Sequence, residues 1–182
     1  MHIEIVIPFG VNRKLGESMN RTMERLDEGD WCIFLDSDTL MMTSHTLWYK
    51  SCINLIHKEG YRIGFASCVT NRIGCSWQKP SIKVDVENDD IKYHYDFAKG
   101  LWKKHGVEYM IPSYGQLLSG MFIMTHKKAW QDAGGFNQGW QVDNWYDKAI
   151  IKAGYLRAIM QGVYCYHIYK HKQKWKYEWE KE

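Results

Sequence analysis

The sequence predicts an α/β fold, in which helices pack against a sheet. Three observations support this: apolar, β-branched runs recur along the chain, amphipathic stretches at helical spacing separate them, and Gly residues follow several of the helical stretches. Alternation of this kind is typical of layered α/β proteins. The length of 182 residues is enough for one domain with a buried core, which we place at residues 1–168, followed by a tail at 169–182.

The elements can be assigned in order from these patterns. The predicted strands, which are β-branched or continuously apolar, are residues 3–9, 31–35, 62–69, 117–125 and 156–166. The predicted helices, which repeat apolar residues every three or four positions, run from Leu15 toward Gly29, from the cap Ser44 to Gly60, and over 90–104, 127–133 and 143–153. We expect the first strand to be largely buried, and the polar stretch 70–90 to be a long surface loop.

Composition and charge exclude several functions. A net charge of +3 is too small for an obligate nucleic-acid-binding protein. The five cysteines are odd in number and contain no C-x-x-C pair, which argues against a disulfide framework or a Cys-rich zinc site and suits a reducing compartment. Glu4 interrupts the N-terminal apolar run, and no apolar run approaches the ~20 residues of a membrane span. We therefore expect a cytoplasmic protein without a transmembrane segment.

Two acids follow the second predicted strand. Asp36 and Asp38 come directly after the apolar run 31–35, which places them at the carboxyl end of a strand, where α/β sheets bind ligands. Two adjacent carboxylates repel each other unless a cation is present, and Mg²⁺ or Mn²⁺ is the preferred partner of such oxygen ligands. The alternative is that the two acids only begin a turn.

Three motifs, in order, resemble those of the GT-A glycosyltransferases, particularly family 2. They are Met19-Asn20-Arg21 leading to Glu28-Gly29-Asp30-Trp31 and the strand that ends in Asp36-Ser37-Asp38, then Gly134-Gly135-Phe136-Asn137, then Gly139-Trp140-Gln141-Val142-Asp143-Asn144 with Gly154-Tyr155 after the helix. The resemblance covers most of residues 3–167. It implies a GT-A-like (Rossmann-like), mixed and mainly parallel sheet flanked by helices. It also implies inverting transfer of a sugar from a nucleotide-sugar donor, with a UDP-sugar favoured, to a glycan or another hydroxyl acceptor.

The resemblance also implies roles for individual residues. Asp36 and Asp38 would bind Mn²⁺ or Mg²⁺, with His167 as a third ligand, and Asp143 would be the general base, although an N-cap of the following helix is an equal alternative for it. Trp140 and Trp145 are expected to bind the acceptor sugar by stacking. The residues expected to bind the donor are Pro8, Phe9, Asn12, Arg13, Asn20, Arg21 and Ser37.

The sequence departs from the family pattern in three places. Val142 stands where the family commonly has Glu, and Ala149 where the helix usually carries Arg. Only residues 10–30 separate the first strand from the strand of the acid pair, whereas family 2 domains place two further strands there. The donor-binding segment is therefore abbreviated, lost, or supplied by a partner chain in an oligomer.

Two other functions remain open. A carbohydrate-binding protein without turnover would also retain such a fold. Haloacid-dehalogenase-like phosphatases have Asp-x-Asp after an apolar strand, but here Thr39 comes one position too early and the Gly is missing. The tail 169–182 interleaves Lys with Tyr and Trp. We expect a solvated segment or, as the alternative, one that contacts a membrane surface, a lipid-linked acceptor or an anionic glycan.

Overall fold

The computed structural model describes residues 1–10, 14–139 and 141–168. Four predictions fall on residues outside these ranges: the donor-binding roles of Asn12 and Arg13, the acceptor-binding role of Trp140, and the membrane or acceptor contact of the tail 169–182. Within the described ranges, every helix is too short or too polar to cross a lipid bilayer.

The described chain contains seven strands and five α-helices. The strands are β1 (Ile3–Val6), β2 (Trp31–Leu35), β3 (Thr39–Met41), β4 (Ile63–Thr70), β5 (Tyr109–Met110), β6 (Phe122–His126) and β7 (Leu156–His167). The helices are α1 (Leu15–Arg25), α2 (His45–Glu59), α3 (Ile91–His105), α4 (Lys127–Asp132) and α5 (Val142–Lys152). The predicted helices are thus confirmed to within a few residues, and the α/β class is confirmed.

The strands form one mixed sheet in the order β1-β2-β6-β4-β7-β3, with β5 also paired to β7. The pairs β1–β2 and β4–β7 are parallel, and the other four pairs are antiparallel. As a result β1, β2, β4 and β7 all run in one direction, and β6 runs against them in the middle of the sheet. The sheet is mixed, as expected. Fewer of its strand pairs are parallel than in the mainly parallel sheet that the resemblance implies.

The core has two layers, one on each face of the sheet. Alternating residues of β2 enter different clusters: Phe34 packs with α1, α3, α4 and α5, whereas Ile33 packs with α2. All eight residues of β4 are buried, since that strand lies between β6 and β7 and is covered on both faces.

The first strand differs from its prediction. It spans four residues instead of seven, and the side chains of Ile5 and Ile7 are 41% and 61% exposed. The physical reason is its position, because β1 pairs only with β2 and forms an edge of the sheet. The prediction of a largely buried first strand is therefore wrong.

The sequence did not predict two short strands, and it did not predict how the loop 70–90 is anchored. The strands β3 and β5 have three and two residues, too few for an alternating pattern to be recognised. The predicted surface loop 70–90 is anchored by Gln78, a fully buried residue whose side-chain amide exchanges hydrogen bonds with the backbone N–H and carbonyl of Ser119. This loop therefore packs on the segment that leads into β6.

Candidate metal centre

The acid pair forms the turn that joins β2 to β3. The backbone N–H of Thr39 donates to the carbonyl of Asp36 at 3.1 Å, which closes a four-residue turn. The backbone N–H of Asp36 donates to the carbonyl of Met121 at 3.1 Å, which fixes the turn to the residue before β6. The turn predicted as the alternative for these acids is thus present, and it holds both carboxylates at the carboxyl end of β2.

The pairing of β3 with β7 brings His167 to this turn. Thr39 lies opposite His167 in the antiparallel register, and the N–H of Ile168 donates to the carbonyl of Asp38 at 2.9 Å. The imidazole Nε2 of His167 lies 3.3 Å from Oδ1 of Asp38. One ligand atom from each of Asp36, Asp38 and His167 lies within 4.8 Å of the other two.

The imidazole of His167 is held in one orientation by two residues that follow β4. Its Nδ1 lies 3.0 Å from the carbonyl of Arg72, and because a carbonyl only accepts, Nδ1 is the protonated nitrogen. The side chain of Asn71 accepts from the backbone N–H of His167 at 2.8 Å and donates to its carbonyl at 3.3 Å. Nε2 is therefore directed at Asp38, as in metal sites where a second hydrogen bond fixes the histidine tautomer.

The charges in this cluster depend strongly on one another. The hydrogen bond from His167 lowers the pKa of Asp38, and this outweighs the opposing effect of burial. Burial lowers the pKa of His167, but the hydrogen bond and the charge of Asp38 more than compensate, so the pKa of His167 lies above its ordinary value. Burial, followed by the charge of Asp38, raises the pKa of Asp36 to about 6. Of the two acids in this cluster, Asp36 therefore takes up a proton at the higher pH.

Asp143 lies in the first turn of α5 and is anchored outside its own helix. Its Oδ2 accepts from the N–H of Gly120 at 3.0 Å, and its Oδ1 accepts from the N–H of Asn144 at 2.9 Å. Gln141 precedes the helix and occupies the capping position, so the alternative that Asp143 is the N-cap is wrong. The charge of Asp143 makes a small contribution to the raised pKa of Asp36, behind burial and the charge of Asp38.

Gly120 makes this contact sterically feasible. A Cβ at position 120 would lie 2.6 Å from the Cβ of Asp143, a distance that real structures essentially never show. The next residue, Met121, binds the backbone of Asp36. Two consecutive residues before β6 therefore position Asp143 and Asp36 relative to each other. Sequence reasoning missed Gly120, Asn71 and Arg72, although each lies within two residues of the end of a strand at the ligand-binding edge.

Among the predicted donor-binding residues, Phe9 and Arg21 lie on one cavity of about 500 Å³. Phe9 is 81% exposed, and Arg21 forms an ion pair with Glu17. In the parallel β1–β2 register Val6 pairs with Phe34, so Pro8 and Phe9 emerge at the same edge of the sheet as the acid pair. The half-buried Pro8 and the exposed Ser37 are also at this edge.

Asn20 has a different environment. Its Oδ1 accepts from the indole N–H of Trp130 and from the backbone N–H of Phe136, both at 2.8 Å, and its Nδ2 donates to the carbonyl of Phe136 at 2.8 Å. These contacts hold the Gly134-Gly135-Phe136 turn against α1. They give Asn20 a role in the fold, and its role in donor binding stays a prediction.

Trp145 lines a cavity to which none of the three candidate metal ligands contributes. Residues two positions apart on a helix point about 200° apart, so Trp145 and Asp143 occupy different faces of α5. The indole is 59% exposed and lines a separate cavity between α4 and α5. The predicted acceptor site requires Trp145 and Asp143 to lie together. The structure does not bring them together.

A scan of the sequence against protein-family models gives no match, and a search of curated proteins finds no similar sequence. The proposed function therefore depends on the residues described above and on their geometry.

Proposed function

We propose that the protein is a metal-dependent, inverting glycosyltransferase that transfers a sugar from a nucleotide-sugar donor, with a UDP-sugar favoured, to a hydroxyl of a glycan or lipid-linked acceptor. The observation that supports this most strongly is the convergence of Asp36, Asp38 and His167 within 4.8 Å at the carboxyl ends of β2 and β7. Open α/β sheets bind ligands at this edge.

The residues of the cluster fit a hard divalent cation. Two carboxylates and one imidazole are ligands that Mn²⁺ accepts readily, and Mg²⁺ prefers the oxygen atoms among them. Burial and, after it, the charge of Asp38 raise the pKa of Asp36, and a bound cation would favour the ionised form of this carboxyl. The hydrogen bond of His167 to Arg72 leaves Nε2 as the ligand atom. When bound, Mn²⁺ or Mg²⁺ would act as a Lewis acid that stabilises the diphosphate leaving group.

Asp143 is the proposed general base. In this reaction the acceptor oxygen forms a bond to the anomeric carbon of the donor sugar, the bond from that carbon to the diphosphate breaks, and the carboxylate of Asp143 takes the hydroxyl proton. The N–H groups of Gly120 and Asn144 each occupy one site on this carboxylate. The remaining lone pairs of both oxygens stay available to accept the proton. Asp143 is thus held in place by the same segment that fixes Asp36.

The donor nucleotide is proposed to lie in the cavity of Phe9 and Arg21. An exposed aromatic ring suits stacking of a base, and a guanidinium suits a diphosphate. Arg25 and Lys14 line the same cavity and add positive charge. Between β1 and β2 the described residues contain α1 and no strand, so these few side chains would make the nucleotide contacts.

A transfer assay tests this function. The protein, supplied with Mn²⁺, a panel of nucleotide sugars and mixed glycan acceptors, should release nucleoside diphosphate in a metal-dependent way. Asp143→Asn should lower this rate by about 100-fold or more, because it removes the base but retains an oxygen for Gly120. Full transfer by Asp143→Asn would exclude Asp143 as the base.

A carbohydrate-binding protein without turnover is the second candidate. The observation that favours it is that the described residues between β1 and β2 contain α1 and no strand, which provides little surface for a nucleotide. That function predicts a response to free glycan and none to UDP or to Mn²⁺ with UDP, opposite to the prediction for the transferase.

A further inference from the structure

One stripe of α5 lies outside the core. Trp145, Lys148, Ala149 and Lys152 recur at the spacing of one helix face, and this face lines a cavity of about 500 Å³ with the end of α4. The core face of the same helix carries Tyr146 and Ile150 instead. The groove is thus a distinct surface of the molecule.

The floor of the groove is made of small residues. Ala149 lies between the two lysines on α5, and Ala133 and Gly134 end the opposite side after α4. A Cβ at Gly134 would meet no atom within 4 Å, so the space above this turn is open. Small residues beside an indole that is 59% exposed leave room for a flat ring to lie against it.

The charge of the groove is positive. Lys148 and Lys152 form no ion pair within the described residues, and the amine of Lys148 lies 5.9 Å from the centre of the Trp145 ring. Asp132 also lines the groove, but both of its oxygens lie 3.0 Å from the amine of Lys128, and it accepts from the hydroxyl of Tyr155 at 2.5 Å. The acid is already satisfied, so the two α5 lysines determine which ligand charge is favoured.

We propose that this α4–α5 groove binds a glycan that carries carboxylate groups, at a site separate from the metal centre. The apolar C–H face of a sugar ring would stack on Trp145, while Lys148 and Lys152 pair with carboxylates of the same or the next residue. An acidic peptide would satisfy the lysines but has no rigid ring face for the indole, which is why the glycan is favoured. This inference goes beyond the transfer reaction and does not depend on it.

Binding can be measured by titration calorimetry with three probes at fixed ionic strength: a glucuronate-containing hexasaccharide, a neutral hexasaccharide of similar linkage, and a glutamate hexapeptide. We expect the acidic hexasaccharide to bind more tightly than either of the others. Trp145→Ala should weaken its binding about tenfold or more. Lys148→Ala combined with Lys152→Ala should remove the preference over the neutral sugar.

Two control variants separate this site from others. Tyr114→Ala removes a ring that is 90% exposed elsewhere and should leave binding unchanged, and so should Asp38→Asn at the metal centre. Because Trp145 is exposed, its variant should melt at the wild-type temperature. Equal binding of the peptide, equal binding of the neutral sugar, no binding of the acidic sugar, or full binding by Trp145→Ala would each overturn the proposal. Loss of nucleotide binding by Asp38→Asn with glycan binding intact would support it.

Discussion

The imidazole of His167 and the carboxylate of Asp38 lie 3.3 Å apart because β3 pairs with the last residues of β7. The two residues are distant in sequence, and each is also fixed through its backbone, His167 by Asn71 and Asp38 by Ile168. A cluster that is held at so many points is preorganised, so a cation would bind without a large rearrangement.

Asn71 should be a positioning residue for the metal centre. It contacts the backbone of His167 through both atoms of its amide and contributes no predicted ligand. Asn71→Ala is expected to weaken Mn²⁺ binding about 10- to 100-fold, as is usual when the support of a ligand is lost. Calorimetric titration with Mn²⁺ measures this. Asn54→Ala, which removes a hydrogen bond from α2 to Val107, is the matched control and should bind Mn²⁺ normally. Unchanged affinity in Asn71→Ala would show that His167 is not a ligand or needs no support.

Asp36 should make the metal-free protein less stable as the pH rises. Its pKa is raised from 3.8 to about 6, so between these values the folded state binds more protons than the unfolded state, and the free energy of unfolding falls with increasing pH. The side chain in Asp36→Asn does not ionise, so the free energy of unfolding of this variant does not fall in this way as the pH rises. We expect the variant to gain about 1–3 kcal/mol over the wild type between pH 4 and 6.5 and to keep that gain above pH 7.

Urea unfolding in the presence of a chelator measures the effect of Asp36. Asp27→Asn, at an exposed position after α1, controls for the removal of one negative charge. Addition of Mn²⁺ should reverse the order, because only the wild type retains the full ligand set. A constant stability difference across pH 4 to 7 would mean that Asp36 is not perturbed in the folded state.

Gly120→Ala should disturb the relation between Asp143 and Asp36. The new Cβ would lie 2.6 Å from that of Asp143, so α5 or the segment before β6 must shift. Overpacking of this kind costs about 1–3 kcal/mol. Transfer activity should fall about 100-fold, in line with the sensitivity of catalysis to small displacements.

Gly74→Ala is the control for this variant, because a Cβ at position 74 would meet nothing within 4 Å. It should retain activity and stability. Full activity of Gly120→Ala would argue that the distance between Asp143 and the acid pair is not important for the reaction.

Removal of one partner from the buried Asp147–Arg157 ion pair should be strongly destabilising, although burial raises the pKa of Asp147 to about 6 in spite of the nearby guanidinium. Both side chains are buried, and Arg157 also donates to the carbonyls of Ser113 and Gln116, which ties α5 and β7 to the segment before β6. Asp147→Asn leaves the guanidinium without its counter-charge and is expected to cost about 3–5 kcal/mol of unfolding free energy. Asp96→Asn, in the exposed pair with Lys92, should cost little by comparison. Similar losses in the two variants would contradict this assignment.

The sequence was sufficient to place the ligand-bearing ends of the strands. The apolar run before Asp36 and the one before His167 predict strands whose ends carry polar side chains. The structure confirms a strand at each of these two positions. Local patterns sufficed because β2 is continuously apolar and β7 is apolar over most of its length. They did not indicate that β1 lies at an edge, since burial depends on which strands are neighbours.

The sequence alone did not predict contacts between segments that are distant along the chain. The register that sets Thr39 opposite His167 belongs to a three-residue strand, and the contact of Gly120 with Asp143 depends on how α5 packs over the sheet. Trp145 illustrates the opposite error. It is near Asp143 in sequence, but the helical rotation directs it to another face.

The measurement that tests the central claim most directly is a calorimetric titration of UDP into the protein with and without Mn²⁺, for the wild type and for Asp38→Asn. The proposed function predicts that the wild type binds UDP only when Mn²⁺ is present, and that Asp38→Asn, which keeps the shape of the side chain but loses its charge, binds neither Mn²⁺ nor UDP. UDP binding that is the same with and without Mn²⁺, or no binding under either condition, would contradict a metal-dependent nucleotide-sugar transferase.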